Sequence, residues 1–238
     1  MRVRFAIIAA LAASGMLHAA DSREVYEQAV QAKGGRERLH SIHSLAIYMK
    51  PAEVNLPGAL TNWLCVFPDR YFEYQGMGAA REYAMVVDAS TGRAAVDATG
   101  QPRHNGQLNG SEHDQLALNQ IVFLLESAWL QPQPVEMKSK ILIVEAAGRT
   151  YKLFLNKDNL PERILSPPVR GEKPKVTYDY KLQHYQNFQG VMLPTRVTQT
   201  GAVRQATWDA DYEVDAKYNP KVFERMPDLH DGPEPWRR

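Results

Sequence analysis

The residues best placed to do chemistry are His104, His113 and Asp114, gathered in a Gly/Asn-rich stretch just before the longest helical pattern of the chain. Two imidazoles and a carboxylate could supply a general base and its orienting partner, as a hydrolase requires. A loop running into a helix start is a common place for function. It is equally a common place for solvated polar residues and caps. His40 and His43 stand three apart on a short helical segment and could share a metal, but nothing in the sequence nominates a third ligand. Asp209, Asp211, Glu213 and Asp215 alternate along the last strand pattern. Period-two acids could serve acid–base work, yet they more often mark the wet face of a strand. Cys65 is the only cysteine and sits between Leu64 and Val66, so it reads as a packed thiol rather than a nucleophile. The sequence holds no Gly-x-Ser-x-Gly elbow, His-Glu-x-x-His pair, phosphate-cradling glycine loop or Cys-x-x-Cys motif. No cofactor and no enzyme activity are therefore expected, and a hydrolase built on His104, His113 and Asp114 stands as a minor alternative.

The elements that must position these residues are mostly strands. From Ser44 the apolar period becomes two, and strands are expected over 44–50, 62–67, 70–75, 83–88, 93–97, 140–145, 150–156, 161–165, 175–185, 191–200 and 203–212. Pro68-Asp69, Ser90-Thr91-Gly92, Ala147-Gly148, Asp158-Asn159, Gly190 and Gly201 supply the turns. Links this short make successive strands antiparallel neighbours, because a parallel pair needs a long crossover. A first helix, capped by Asp21 with Glu24, ends at Gly34-Gly35, and a second short one covers Arg36 to Ile42. The third helix is read with Ser111 as cap and Asp114 at its third position, carrying an apolar stripe of Leu118, Ile121, Val122, Leu125 and Trp129 until Pro132 and Pro134 stop it. The fold class is thus α+β: one large curved antiparallel sheet, roughly ten or eleven strands in an unclosed barrel, covered by helices.

A sheet of this width encloses more volume than two helices readily fill, and such cavities often hold apolar ligands. The aromatic and aliphatic residues that would line it are Trp63, Phe72, Tyr74, Leu118, Ile121, Val122, Leu125 and Trp129. The same residue types build an ordinary core, so a filled barrel that docks an envelope protein partner through its edge strands is the competing reading.

The N-terminus points to export. Arg2 and Arg4 precede an apolar run from Phe5 to Leu17, and small residues surround a cut after Ala19 or Ala20, which is the order of a signal peptide over residues 1–20. The run is too short for a bilayer core of roughly 30 Å, which needs about 20 residues, and no later run is long enough, so no membrane span is expected in the mature chain. A lone Cys65 far from the cut excludes both a lipid-bearing N-terminal cysteine and an intramolecular disulfide. With the leader removed, 28 basic residues lose Arg2 and Arg4 and become 26 against 27 acidic, a net charge of −1. A balanced surface gathers no phosphates, which makes nucleic acid an unlikely partner. Apolar residues make up 44% of the chain, enough for one substantial core over residues 21–227, with 228–238 left as a loose polar tail.

Several short motifs then fall in a familiar order. Gly34-Gly35-Arg36-Glu37-Arg38-Leu39, followed by Ile42, His43, Ser44 and Leu45, resembles the opening of extracytoplasmic proteins of the LolA-like, outer-membrane lipoprotein-sorting superfamily. Phe67-Pro68-Asp69-Arg70-Tyr71 and the pair Val87-Asp88 with Thr91-Gly92 are similar to later strand and hairpin motifs there. Tyr185, Gly190-Val191-Met192-Leu193-Pro194, Asn219-Pro220, Val222-Phe223 and Pro227 match its end. The resemblance implies an unclosed barrel of about eleven strands lidded by helices, whose cavity holds acyl chains. It implies a periplasmic or envelope carrier or sensor of a lipid, a lipoprotein acyl chain or another hydrophobic ligand. No basic partner-docking surface and no lid-latching arginine can be matched from the sequence.

Overall fold

The computed structural model describes residues 22–52, 59–77, 82–168, 170, 177–201 and 205–237. The leader, the Asp21 cap and the starts expected for the strands at Lys175 and Val203 lie outside them. Helix α1 (22–33) and helix α2 (Arg36–His40) meet at Gly34-Gly35. Gly34 has φ +134°, and a side chain there would collide with the Gly190 carbonyl, so this elbow needs glycine.

The strands then run β1 (Ser44–Pro51), β2 (Ala59–Val66), β3 (Arg70–Met77), β4 (Glu82–Asp88), β5 (Arg93–Ala98) and β6 (His104–Gln107). Helix α3 (Gly110–Phe123) follows, and then β7 (Gln133–Lys138), β8 (Ile141–Ala146), β9 (Arg149–Leu155), β10 (Pro161–Leu165), β11 (Asp179–Phe188), β12 (Val191–Thr200) and β13 (Gln205–Val214). All thirteen form one antiparallel sheet in the order β6-β5-β4-β3-β2-β1-β13-β12-β11-β10-β9-β8-β7. Every pairing but one joins strands adjacent in sequence. The exception is β1 with β13, which places Leu45 opposite Val214 and joins two meanders at the middle of the sheet. β6 and β7 are the two edges, and α3 is the connection between them.

The alternation of side chains sorts the sheet into two faces. Leu45, Ile47, Trp63, Cys65, Tyr71, Met85 and Val87 face the helices and pack with Tyr26 and Val30 of α1 and with Leu118, Ile121, Val122 and Phe123 of α3. Ala46, Leu64, Val66, Phe72, Tyr74, Ala84 and Val86 face the other way, into a second cluster with Val222, Phe223 and Trp236. Asp209 and Asp211 are exposed, as the wet-face reading expects. Cys65 is buried, which pushes its thiol up to about 12 and leaves it inert.

Three features differ from the sequence reading. The strand number is thirteen because both edges were missed: β6 is four residues long with no apolar side chain beyond Gly106, and β7 carries Pro134 at a register shift. Such weak, irregular strands suit an edge, where only one neighbour holds them. α3 is capped by Asn109 with Glu112, not by Ser111 with Asp114, and it ends at Phe123 because Leu125 takes φ +74°. Trp129 consequently leaves the helix and stands 59% exposed. The segment 228–237 is docked rather than loose: Trp236 is 1% exposed, its ring 5.4 Å edge-on from Phe72, and its carbonyl accepts from the Asn219 N–H at 2.7 Å. Arg103 holds Asp228 at 2.8 Å, and Arg237 holds Glu213 at 2.7 Å.

Truncating a buried tryptophan costs about 3 kcal/mol, and each kcal/mol moves the midpoint of a chain this size by about 2–4 °C. Trp236→Ala should therefore lower the thermal midpoint by about 6–12 °C in a circular-dichroism melt. An unchanged midpoint would mean that the C-terminal segment is not part of the cooperative fold.

Candidate functional site

Because α3 must pass from one edge of the sheet to the other, it crosses the concave face. Its second half fills that face. Phe123 lies edge-on to Trp63 at 5.8 Å and 6.0 Å from Tyr212, whose ring meets Phe188 at 5.1 Å. Leu118, Ile121, Val122 and Leu125 are fully buried around it. This half of the interior is densely lined with buried apolar side chains.

Two sets of polar contacts fasten the helix. At its C-terminal end the Lys33 ammonium, 1% exposed, donates to the Phe123 and Met192 carbonyls at 2.6 Å each and lies 5.2 Å from the Tyr185 ring. Glu126, just past the helix, is buried and accepts from Tyr26 Oη at 2.9 Å and from Arg36 Nε at 2.8 Å. His40 Nε2 stands 3.0 Å from the same carboxylate without hydrogen-bond geometry. At the N-terminal end Asp114 accepts from Arg149 and from Arg170, whose Nη2 is at 2.8 Å. Burial alone would raise the Asp114 carboxyl, but bonds from Arg170 and the charge of both guanidinium groups hold it below the usual range.

The first half of α3 leaves space. A cavity of about 310 Å³ lies between the helix and the sheet, lined by Trp63, Tyr71, Glu73, Gln75, Tyr83, Met85, Ser111, Glu112, Gln115, Tyr178, Tyr180 and Gln199. Its walls come from β2–β4 on one arm of the sheet and from β11 and β12 on the other, so the two arms face each other across it. Five aromatic rings and a thioether line it, but hydroxyl, amide and carboxylate groups make most of its accessible surface polar. Glu73 is 7% exposed and accepts from Gln75. Burial pushes its carboxyl up from the ordinary value, and Gln75 and the nearby Trp63 indole only partly offset this. The Trp63 N–H itself meets no acceptor in hydrogen-bond geometry among the described residues.

Of the residues expected to line a ligand cavity, Trp63 borders this one. Leu118, Ile121, Val122 and Leu125 belong to the packed half, Phe72 and Tyr74 project from the opposite face of the sheet, and Trp129 is on the surface. Tyr71, Glu73, Gln75 and Tyr83 were missed, although strand parity carried the signal. With a turn at Pro68-Asp69, Trp63 falls opposite Glu73 and Cys65 opposite Tyr71, so the odd-numbered residues of β3 share its face. The rival set does not come together as a site: His104 and His113 are exposed, while Asp114 is consumed by two arginines. Among the described residues no three metal-ligating side chains cluster, and no helix is long and apolar enough to cross a membrane.

An antiparallel barrel left open and wrapped around a connecting helix defines this chain's class. A solved LolA superfamily protein has a similar fold. The solved structure of such a protein from Nitrosomonas europaea matches with a TM-score of 0.51 at 14% identity, covering 86% of this chain and 97% of that one. A DUF1329 family protein from Desulfovibrio piger is matched at 10% identity and a TM-score of 0.48, over 85% and 97% of the two chains. Neither a family model nor a curated protein matches the sequence.

Burial lowers Lys33 from 10.5 to about 7, and a neutral amine keeps two N–H donors for its two carbonyls. Between those two values the unfolded chain binds a proton that the folded chain has released, so stability rises with pH across that window. Lys33→Met should flatten this rise in urea unfolding compared at pH 7 and pH 9.5. Equal slopes in the two proteins would show that the buried amine does not titrate there.

Proposed function

We propose that this protein is an extracytoplasmic carrier or sensor that holds one acyl chain or another small hydrophobic ligand in the mouth of its half-barrel. The observation that carries this reading is the aromatic cavity of about 310 Å³ between the two arms of the sheet. That volume stands at the lower end of the range for small-molecule sites. Each buried methylene contributes about 0.8 kcal/mol, so a short chain can bind there without covalent chemistry. The leader-like N-terminus supports work outside the cytoplasm, in the periplasm or beyond the cell. The LolA-type fold supports the same reading as an analogy, since fold alone does not set function.

The densely lined half of the interior favours a narrower role than bulk lipid transport. It also favours a second reading, an envelope interaction module that docks a partner along β6 or β7, the two edge strands.

Native mass spectrometry of protein isolated from its own host should show one bound small molecule, released as a fatty acid or lipid on extraction. Gln115→Trp, which places an indole in the cavity from α3, should weaken binding of a short fatty acid at least about tenfold while the thermal midpoint holds. Protein that emerges empty and ignores fatty-acid probes would leave the interaction module as the better account.

A further inference from the structure

Glu73 poses a problem that the carrier reading leaves open. Its carboxylate is buried in the cavity wall, and among the described residues neither lysine, arginine nor histidine pairs with it. Among the described residues no cationic side chain lines the cavity. The second acid there, Glu112, spends its oxygens on the Asn109 N–H at 2.6 Å and the Asn109 amide at 3.1 Å, as the cap of α3. A buried carboxylate without a counter-ion is unfavourable, which is why burial pushes this carboxyl up, and such groups are normally paired. The rings of Trp63, Tyr71, Tyr83, Tyr178 and Tyr180 line the same cavity. Aromatic faces attract cations through their quadrupoles, and rings grouped around a carboxylate are how quaternary ammonium groups are recognised.

We propose that the ligand of this cavity is a cationic amphiphile, with a quaternary or protonated amine seated against Glu73 and an apolar body against the rings. This rests on the reading that the cavity takes a hydrophobic ligand. The cation supplies the missing counter-ion, and the rings hold it where water is scarce. An anionic head group meets two carboxylates and, among the described residues, no compensating charge, so it is rejected. A neutral head group leaves Glu73 as it was.

Titration calorimetry with octyltrimethylammonium, octanol and octyl sulfate, and with tetramethylammonium as a tail-less cation, separates these terms. The expected order is octyltrimethylammonium at least about tenfold tighter than octanol, with octyl sulfate weakest. In Glu73→Gln the advantage of the cation should vanish while octanol binding is kept, which also reports that the variant is folded. Should the variant not fold, the wild-type series decides alone. Octanol or octyl sulfate binding as tightly as the cation would overturn the head-group assignment and leave the hydrophobic-ligand reading intact. Tetramethylammonium matching octyltrimethylammonium would do the reverse. No binding by any probe would overturn both.

Discussion

The architecture depends on the wedge that Phe123 drives between Trp63 and Tyr212. Trp63 belongs to one meander and Tyr212 to the other, so a single ring of α3 touches both halves of the sheet. A thirteen-stranded antiparallel sheet tends to curl, and its concave side must be dried by something other than itself. α3 is the element that topology delivers there, because it links the two edges. The ends of the helix carry polar groups that would be costly to leave unmade, and Lys33, Glu126 and Asp114 are the fasteners that satisfy or exploit them. Where the helix side chains are large the interior is filled. Where its first turns present Ser111, Glu112 and Gln115 it is not, and that is where the cavity lies.

The second face of the sheet follows the same logic with different material. β1–β4 alternate strictly, so drying one side leaves Leu64, Phe72 and Val86 facing outward. The chain covers them with its own end, through Val222, Phe223 and Trp236. The long acidic alternation on β13 is the neighbouring wet stripe, and part of it is used: Glu213 holds Arg237, and Asp215 accepts from Arg38 and from the His43 N–H.

Much of the fold was legible in the residues, since turn chemistry at Pro68-Asp69, Thr91-Gly92 and Gly190 set the hairpins and the period of two set the faces. The edges were not legible, because β6 and β7 are held by one neighbour each and need little intrinsic preference for extended backbone. The start of α3 was misread by two residues because Ser111-x-x-Asp114 and Asn109-x-x-Glu112 offer the same kind of cap. Only the tertiary structure shows that Asp114 is engaged elsewhere, by arginines from β9 and from the segment after β10. The tail was misread because one tryptophan among polar residues says nothing local about the hydrophobic face it will meet. The cavity lining was hidden for a different reason. Aromaticity was weighed ahead of parity, which drew in Phe72 and Tyr74 and passed over Glu73, the residue opposite Trp63.

The seam between β1 and β13 bears on how the molecule is made. Hairpins can zip as the chain lengthens, since each needs only its immediate predecessor. The central ladder cannot: Leu45 must wait for Val214, and the outer face of the first strands must wait for Trp236. Until β13 is available, β1 lacks one of its two neighbours. Loop-closure entropy therefore falls almost entirely on one late step.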